Sequence, residues 1–190
     1  MSWIAWAVTG AIVVILLLWG VAIYNRLVRQ RALVKEGFSG ITVQLRRRAD
    51  LIPNLVSTVE GYATHERETL SQVIAHRGDA VNAKGVAATA QADTAMSAMI
   101  GRLFAVAEAY PDLKADDNFR QLQSELSEIE EQLQGARRYY NATVRDLNTS
   151  IQSFPDLLFA RPLGFSEEPF YADEDPSIQS APKVRFGAAG

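Results

Sequence analysis

The side chains with any claim to chemistry are few: two histidines, a run of three arginines and scattered acids. His65 and His76 are eleven residues apart, which puts them on one face of a helix. They would then stand about 16 Å apart along its axis, whereas the ligands of one metal lie within about 2 Å of it. The pair alone therefore holds no metal. His65-Glu66 also lacks the second histidine of an HExxH site. No Gly-x-x-x-x-Gly-Lys-Ser/Thr phosphate loop and no Gly-x-Ser-x-Gly elbow occurs. The chain has no cysteine, which excludes thiol and disulfide chemistry and suits a reducing compartment. These residues predict no catalytic group, no cofactor and no metal, hence a protein that is not an enzyme.

Arg46, Arg47 and Arg48 could bind phosphate or an acidic partner. The reading the sequence favours is plainer: local pairing with Asp50 on a solvated helix face. Glu128, Glu130 and Glu131 read as the solvated side of a heptad helix. Asn141-Ala142-Thr143 and Asn148-Thr149-Ser150 match glycosylation sequons, but a used sequon belongs to a surface loop of a secreted protein, so on a helix they would be inert. Asn141 and Asn148 are better read as hydrogen-bonding residues that set helix register. A net charge of −3 gives no case for nucleic acid.

What must position these residues begins with an uncharged apolar run from Trp3 to Ile23. Twenty-one helical residues rise about 31 Å, the hydrocarbon thickness of a bilayer. The basic residues Arg26, Arg29, Arg31 and Lys35 follow the run rather than precede it, which argues for a retained anchor over a cleaved signal. The positive-inside rule puts that flank in the cytoplasm and leaves a short N-terminus outside. Trp3, Trp6, Trp19 and Tyr24 stand where interfacial aromatics belong, and Ala7 and Ala11 form a small-xxx-small pair. The four basic residues set topology and lie close enough to the membrane to attract anionic lipid.

The flank continues as helix. Leu27, Val34 and Ile41 are seven apart, and so are Phe38, Leu45 and Ile52, making one apolar seam weakened at Gly37 and Gly40. Pro53 is expected to break or kink this rod, with Asp50 capping a second helix that carries Leu55, Val59, Tyr62, Leu70 and Val73. A third helix, alanine-rich, shows Ala92, Met96, Met99, Leu103, Val106 and Tyr110 on one face and ends at Pro111. The fourth is the clearest: Phe119, Leu126, Leu133, Tyr140, Leu147 and Phe154 repeat every seven residues. From Pro155 onward five of the seven prolines alternate with aromatics. That composition predicts an extended arm docking its rings on helices of the same or a neighbouring subunit.

Three stretches carry a resemblance. Tyr24-Asn25-Arg26-Leu27-Val28 follows the anchor. Leu45-Arg46-Arg47-Arg48-Ala49-Asp50-Leu51-Ile52-Pro53-Asn54-Leu55-Val56 leads to Gly61-Tyr62-Ala63-Thr64-His65-Glu66. Ala136-Arg137-Arg138-Tyr139-Tyr140-Asn141 precedes Val144, Asn148, Phe154-Pro155 and Gly164-Phe165. Together, from Tyr24 to about Tyr171, they resemble the LemA family of bacterial membrane proteins. One departure is the end: many relatives carry a run like FFE where this chain has Phe170-Tyr171-Ala172-Asp173. The resemblance implies a single-span protein of the bacterial cytoplasmic membrane whose cytoplasmic domain is an antiparallel bundle of long helices. It also implies a setting near membrane metalloproteases or small membrane proteins, with membrane-associated assembly as a theme.

The expectation is thus an all-α chain: anchor over 1–23, helical bundle over 24–154 and extended arm over 155–190. Its expected role is a membrane-anchored, self-assembling scaffold. The alternative is a monomeric adaptor for a membrane enzyme such as a metalloprotease. Its expected partners are copies of itself, membrane lipid and a membrane protease.

Overall fold

The structure, a computed structural model, describes residues 2–63 and 65–171. The described residues are helical and contain no strand. The expected arm beyond Tyr171 lies outside them.

Helix α1 runs from Ser2 to Glu60 without interruption, 59 residues or about 88 Å. Its large apolar side chains between Trp3 and Val21, such as Trp6, Ile12, Leu16 and Leu18, stand exposed, and it is long and apolar enough to cross a membrane. From Ile23 a seam of Leu27, Val34, Ile41, Leu45 and Ile52 turns inward and is buried.

Pro53 does not break this helix and Asp50 caps no second one, so the expected break and cap are corrected. Proline removes the amide that would bond the carbonyl of Ala49. Here the guanidinium of Arg77 supplies the missing donor, its Nε 2.9 Å from the Ala49 oxygen. A second nitrogen of Arg77 lies 3.7 Å from Asp50. With that carbonyl satisfied the helix passes through Pro53. The break comes instead at Gly61–Glu66.

Helix α2 therefore spans Arg67–Asn82, later than expected, and buries Leu70 and Val73. Helix α3, Val86–Ala107, buries Thr89, Asp93, Met96, Ile100, Leu103 and Ala107, an alternation of fours and threes. Pro111 opens the short α4, Pro111–Ala115, at a first-turn position where its missing amide costs nothing. Helix α5, Asp117–Gln152, is capped by Asp116, whose carboxylate accepts from the Phe119 amide. That bond, with the hydroxyl of Tyr62, holds the Asp116 carboxyl below its ordinary range.

Helices α1 and α5 lie antiparallel. Contacts climb α1 as they descend α5: Arg26 to Asp156 just beyond it, Gln30 to Ser150, Arg47 to Gln132, Tyr62 to Asp116. Phe119, Leu126, Leu133, Tyr140 and Leu147 are all buried in this chain's own core. Phe154 is not, because α5 stops at Gln152 and the chain turns at Ser153. The two helices approach closely at Gly37, where a Cβ would lie 3.0 Å from the Tyr140 Cα. Gly37 thus serves contact between helices rather than local weakness.

The core has two parts. One cluster, from Ala49 to Leu126, is enclosed by α1, α2, α3, α4 and α5. The other centres on Leu27, Ile41, Leu133, Tyr140 and Leu147, and is closed partly by the arm through Ala160, Phe165 and Tyr171. The arm is not wholly extended: α6, Leu157–Ala160, forms a single helical turn between two prolines.

Candidate functional site

The residues with most chemical character meet where the two core clusters join. Asp93 sits at a seam position of α3 and is 1% exposed. Arg48 on α1 directs Nη1 to the Asp93 carboxylate at 3.4 Å and to the Ser97 hydroxyl at 2.9 Å. The same nitrogen lies 3.0 Å from Glu130 Oε2, an ion-pair contact misaligned for a hydrogen bond. Arg137 on α5 pairs with the other oxygen of Asp93 and lies 3.6 Å from Glu130. Two guanidiniums and two carboxylates are thus brought together with no net charge. Burying any one alone would cost several kcal/mol, roughly, so the four require each other.

Tyr171 closes the cluster. Its hydroxyl donates to Asp93 at 2.9 Å, and the Arg137 guanidinium lies 5.7 Å from its ring centre. Burial, and then the Asp93 carboxylate, push its phenol well above the ordinary tyrosine value. Tyr140 stands edge-on to it and donates to the Pro169 carbonyl at 2.7 Å. Burial and the nearby Glu168 carboxylate raise the Tyr140 phenol to about 12.

Two asparagines read the arm's backbone. Asn148 accepts from the Glu168 amide and donates to the Glu168 carbonyl, both at 2.9 Å. Asn141 does the same for Tyr171, at 2.8 and 3.2 Å. Seven helical residues rise about 10.5 Å, and three extended residues span about 10 Å. One heptad of α5 therefore matches the interval from Glu168 to Tyr171, and each asparagine amide acts as a surrogate peptide group. The register they set is that of the arm on its own subunit, not that of one helix on another.

The other expected residues fall into place around this frame. Arg26 pairs with buried Asp156, and Arg31 lies 4.0 Å from Glu168, so two of the four flank charges face the chain itself. Arg29, Lys35 and Asn25 are exposed. Tyr24 packs edge-on against Phe165. Arg47 donates to Gln132 at 3.0 Å. Leu51 is half-buried, Leu55 is buried, and Pro53, Asn54 and Tyr139 face outward. Pro155 is half-buried behind exposed Phe154. The expected local pairing of the arginine run with Asp50 gives way to contacts between helices: Arg47 meets Gln132, Arg48 meets Asp93 and Glu130, and Asp50 lies nearest Arg77. Glu130 is a cluster member rather than a solvated acid. His65 lies in the turn before α2 and His76 within it, 3.4 Å from Asp79, so the two do not share a helix. Among the described residues no group of three His, Cys, Asp or Glu could hold a metal ion. Asp93 and Arg77 are the residues that sequence reasoning missed; for Tyr171 it anticipated a docking ring but not the carboxylate that receives its hydroxyl.

The cluster is closed and charge-balanced, with its hydroxyl donated and its carboxylates held by cations. Such an arrangement fixes α1, α3, α5 and the arm in one register. The chain matches the family model described as LemA family over residues 37–186. It is 27% identical to Protein LemA of Metamycoplasma hominis, over 68% of this chain and 60% of that protein. It is 25% identical to Magnetosome protein MamQ 1 and MamQ 2 of Paramagnetospirillum magneticum, over 80% of this chain and 65% of each relative. The chain thus spans less than two thirds of the length of these curated relatives. With three quarters of its length inside the matched region, including all four members of the buried cluster, the chain belongs to the LemA family.

Proposed function

We propose that this protein is a membrane-anchored helical scaffold without catalytic activity, held by α1 in the bacterial cytoplasmic membrane with its bundle in the cytoplasm. The observation that carries the reading is the continuity of α1, which joins an exposed apolar span to the bundle core without a hinge. Such a chain presents a rigid body at a fixed height above a bilayer. The basic flank supports the orientation. Relatives named for a family and for the magnetosome, not for a reaction, fit a structural role. Self-assembly into a homo-oligomer belongs to this proposal. It would run through the span and the outer faces of the bundle, because the α5 seam is occupied within one chain.

That occupied seam also favours a second reading, a monomeric adaptor for a membrane enzyme such as a metalloprotease. The mass of the full chain in lipid nanodiscs separates the two. The scaffold predicts a discrete homo-oligomer. A monomer that crosslinks in native membranes to one foreign protein overturns self-assembly and leaves the adaptor.

A further inference from the structure

We infer that the segment Phe154–Leu163 is a second membrane element, a wedge that enters the headgroup and upper acyl region of the leaflet beside the span. The inference rests on the anchor reading of α1.

The segment lies against the end of the span. Phe159 packs edge-on to Trp19, ring centres 6.3 Å apart, and a Cβ at Gly20 would stand 3.8 Å from the Phe159 ring. Asp156 is buried and paired with Arg26. The wedge therefore sits beside Trp19–Arg26, about 10 Å of helix axis across the limit of the apolar run. A bilayer's hydrocarbon gives way to headgroups at that depth.

Its outer side is apolar where water would disfavour it. Phe154 is 79% exposed and Leu158 is 60% exposed, and Leu157 and Leu163 flank them. Asp156 and Arg161 are the only charged residues from 153 to 164. The first is neutralised by its partner, and the second is an exposed cation suited to phosphate headgroups. An exposed ring and exposed leucines, with one exposed cation and no exposed acid between residues 153 and 164, match an interfacial element that inserts by about 5–10 Å. The occupant of this face is lipid, because the face continues the lipid-exposed surface of the span.

The absence of cysteine makes the test direct. The full-length chain would carry one environment-sensitive label at Leu158→Cys, Phe154→Cys, Val13→Cys or Ser127→Cys. Each variant would be reconstituted into vesicles of phosphatidylcholine and phosphatidylglycerol bearing nitroxides at a shallow acyl position or, in a parallel set that reports on residue 13, at a deep one. Labels at 154 and 158 are expected to be quenched at least about two-fold more than the label at 127, and the label at 13 to be quenched as well. Quenching at 13 with none at 154 or 158 overturns the wedge and leaves the anchor. No quenching at any position overturns both. Labels at 154 and 158 that escape lipid nitroxides but are shielded from aqueous iodide would mean a protein covers the face, which also overturns the wedge.

Discussion

The two halves of the bundle are built differently. Far from the span, α2, α3 and α4 close over α1 and α5, and the buried core consists of aliphatic and thioether side chains around Phe119, with half-buried Phe104 edge-on to that ring. Near the span, α1 and α5 are covered only by the start of α3, through Val86 and Ala90, and by the arm as part of a third layer. Helices cover apolar surface while meeting their own backbone needs. An extended segment brings unpaired amides and carbonyls, so the near half must provide polar side chains to meet them. Asn141, Asn148 and Tyr140 do so. The same residues that make the arm fit make it separable.

The strongest challenge to this division is to bury a charge in each half. Leu103→Asp and Leu133→Asp each place an unpaired carboxylate at a fully buried site, a cost comparable to the roughly 5–15 kcal/mol of a whole domain. Hydrogen exchange should show Leu103→Asp opening α2 and α3 first, and Leu133→Asp opening α5 and the arm. Identical exchange patterns would merge the halves into one unit.

Asp93→Ala strikes their junction. It leaves Arg48 and Arg137 buried with Glu130 alone and should cost about 3–5 kcal/mol by chemical denaturation. The arm should loosen with it, because Tyr171 loses its acceptor.

Arg77→Ala should cost about 1–3 kcal/mol by orphaning the Ala49 carbonyl. Pro53→Ala restores an amide to that carbonyl. The Arg77 penalty should therefore shrink in the double variant, and an unchanged penalty would rule out the proposed satisfaction of Pro53.

Asn148→Ala should release the arm for about 1–3 kcal/mol of local stability, read as faster exchange of the Glu168 amide with α2 and α3 unchanged.

A pH-dependent test remains, and it is alkaline. Tyr140 is raised to about 12 and Tyr171 is raised further, so the native state keeps protons that the unfolded chain loses above about pH 10. Stability from these phenols is fully present below pH 10 and falls between pH 10 and 12. Tyr171→Phe should flatten that decline.

What was legible in the sequence was whatever repeats. The span and the Phe119–Leu147 seam follow from period and polarity alone. The passage through Pro53 was not legible, because its donor, Arg77, lies 28 residues beyond the accepting carbonyl. The partners of Arg48 are not legible either, because local spacing around the arginine run cannot reveal acids 45 or 82 residues away. Asp93 did leave a signal, an acid on the fours-and-threes stripe that holds Met96 and Leu103, but the alanine-rich setting hid the stripe's true face. Asn141 and Asn148 hydrogen-bond to the arm's backbone instead of setting the register of one helix on another. Their partner was not seen, since an extended backbone has no sequence pattern to match.

The unbroken α1 also makes the molecule a lever. About 37 of its residues, some 55 Å, stand beyond the span. A span tilts when the bilayer is thinner than its apolar length, commonly by about 20°. Without a hinge, that tilt would carry the far end of the helix sideways by about 20 Å, so a small change in bilayer thickness would become a large change in reach.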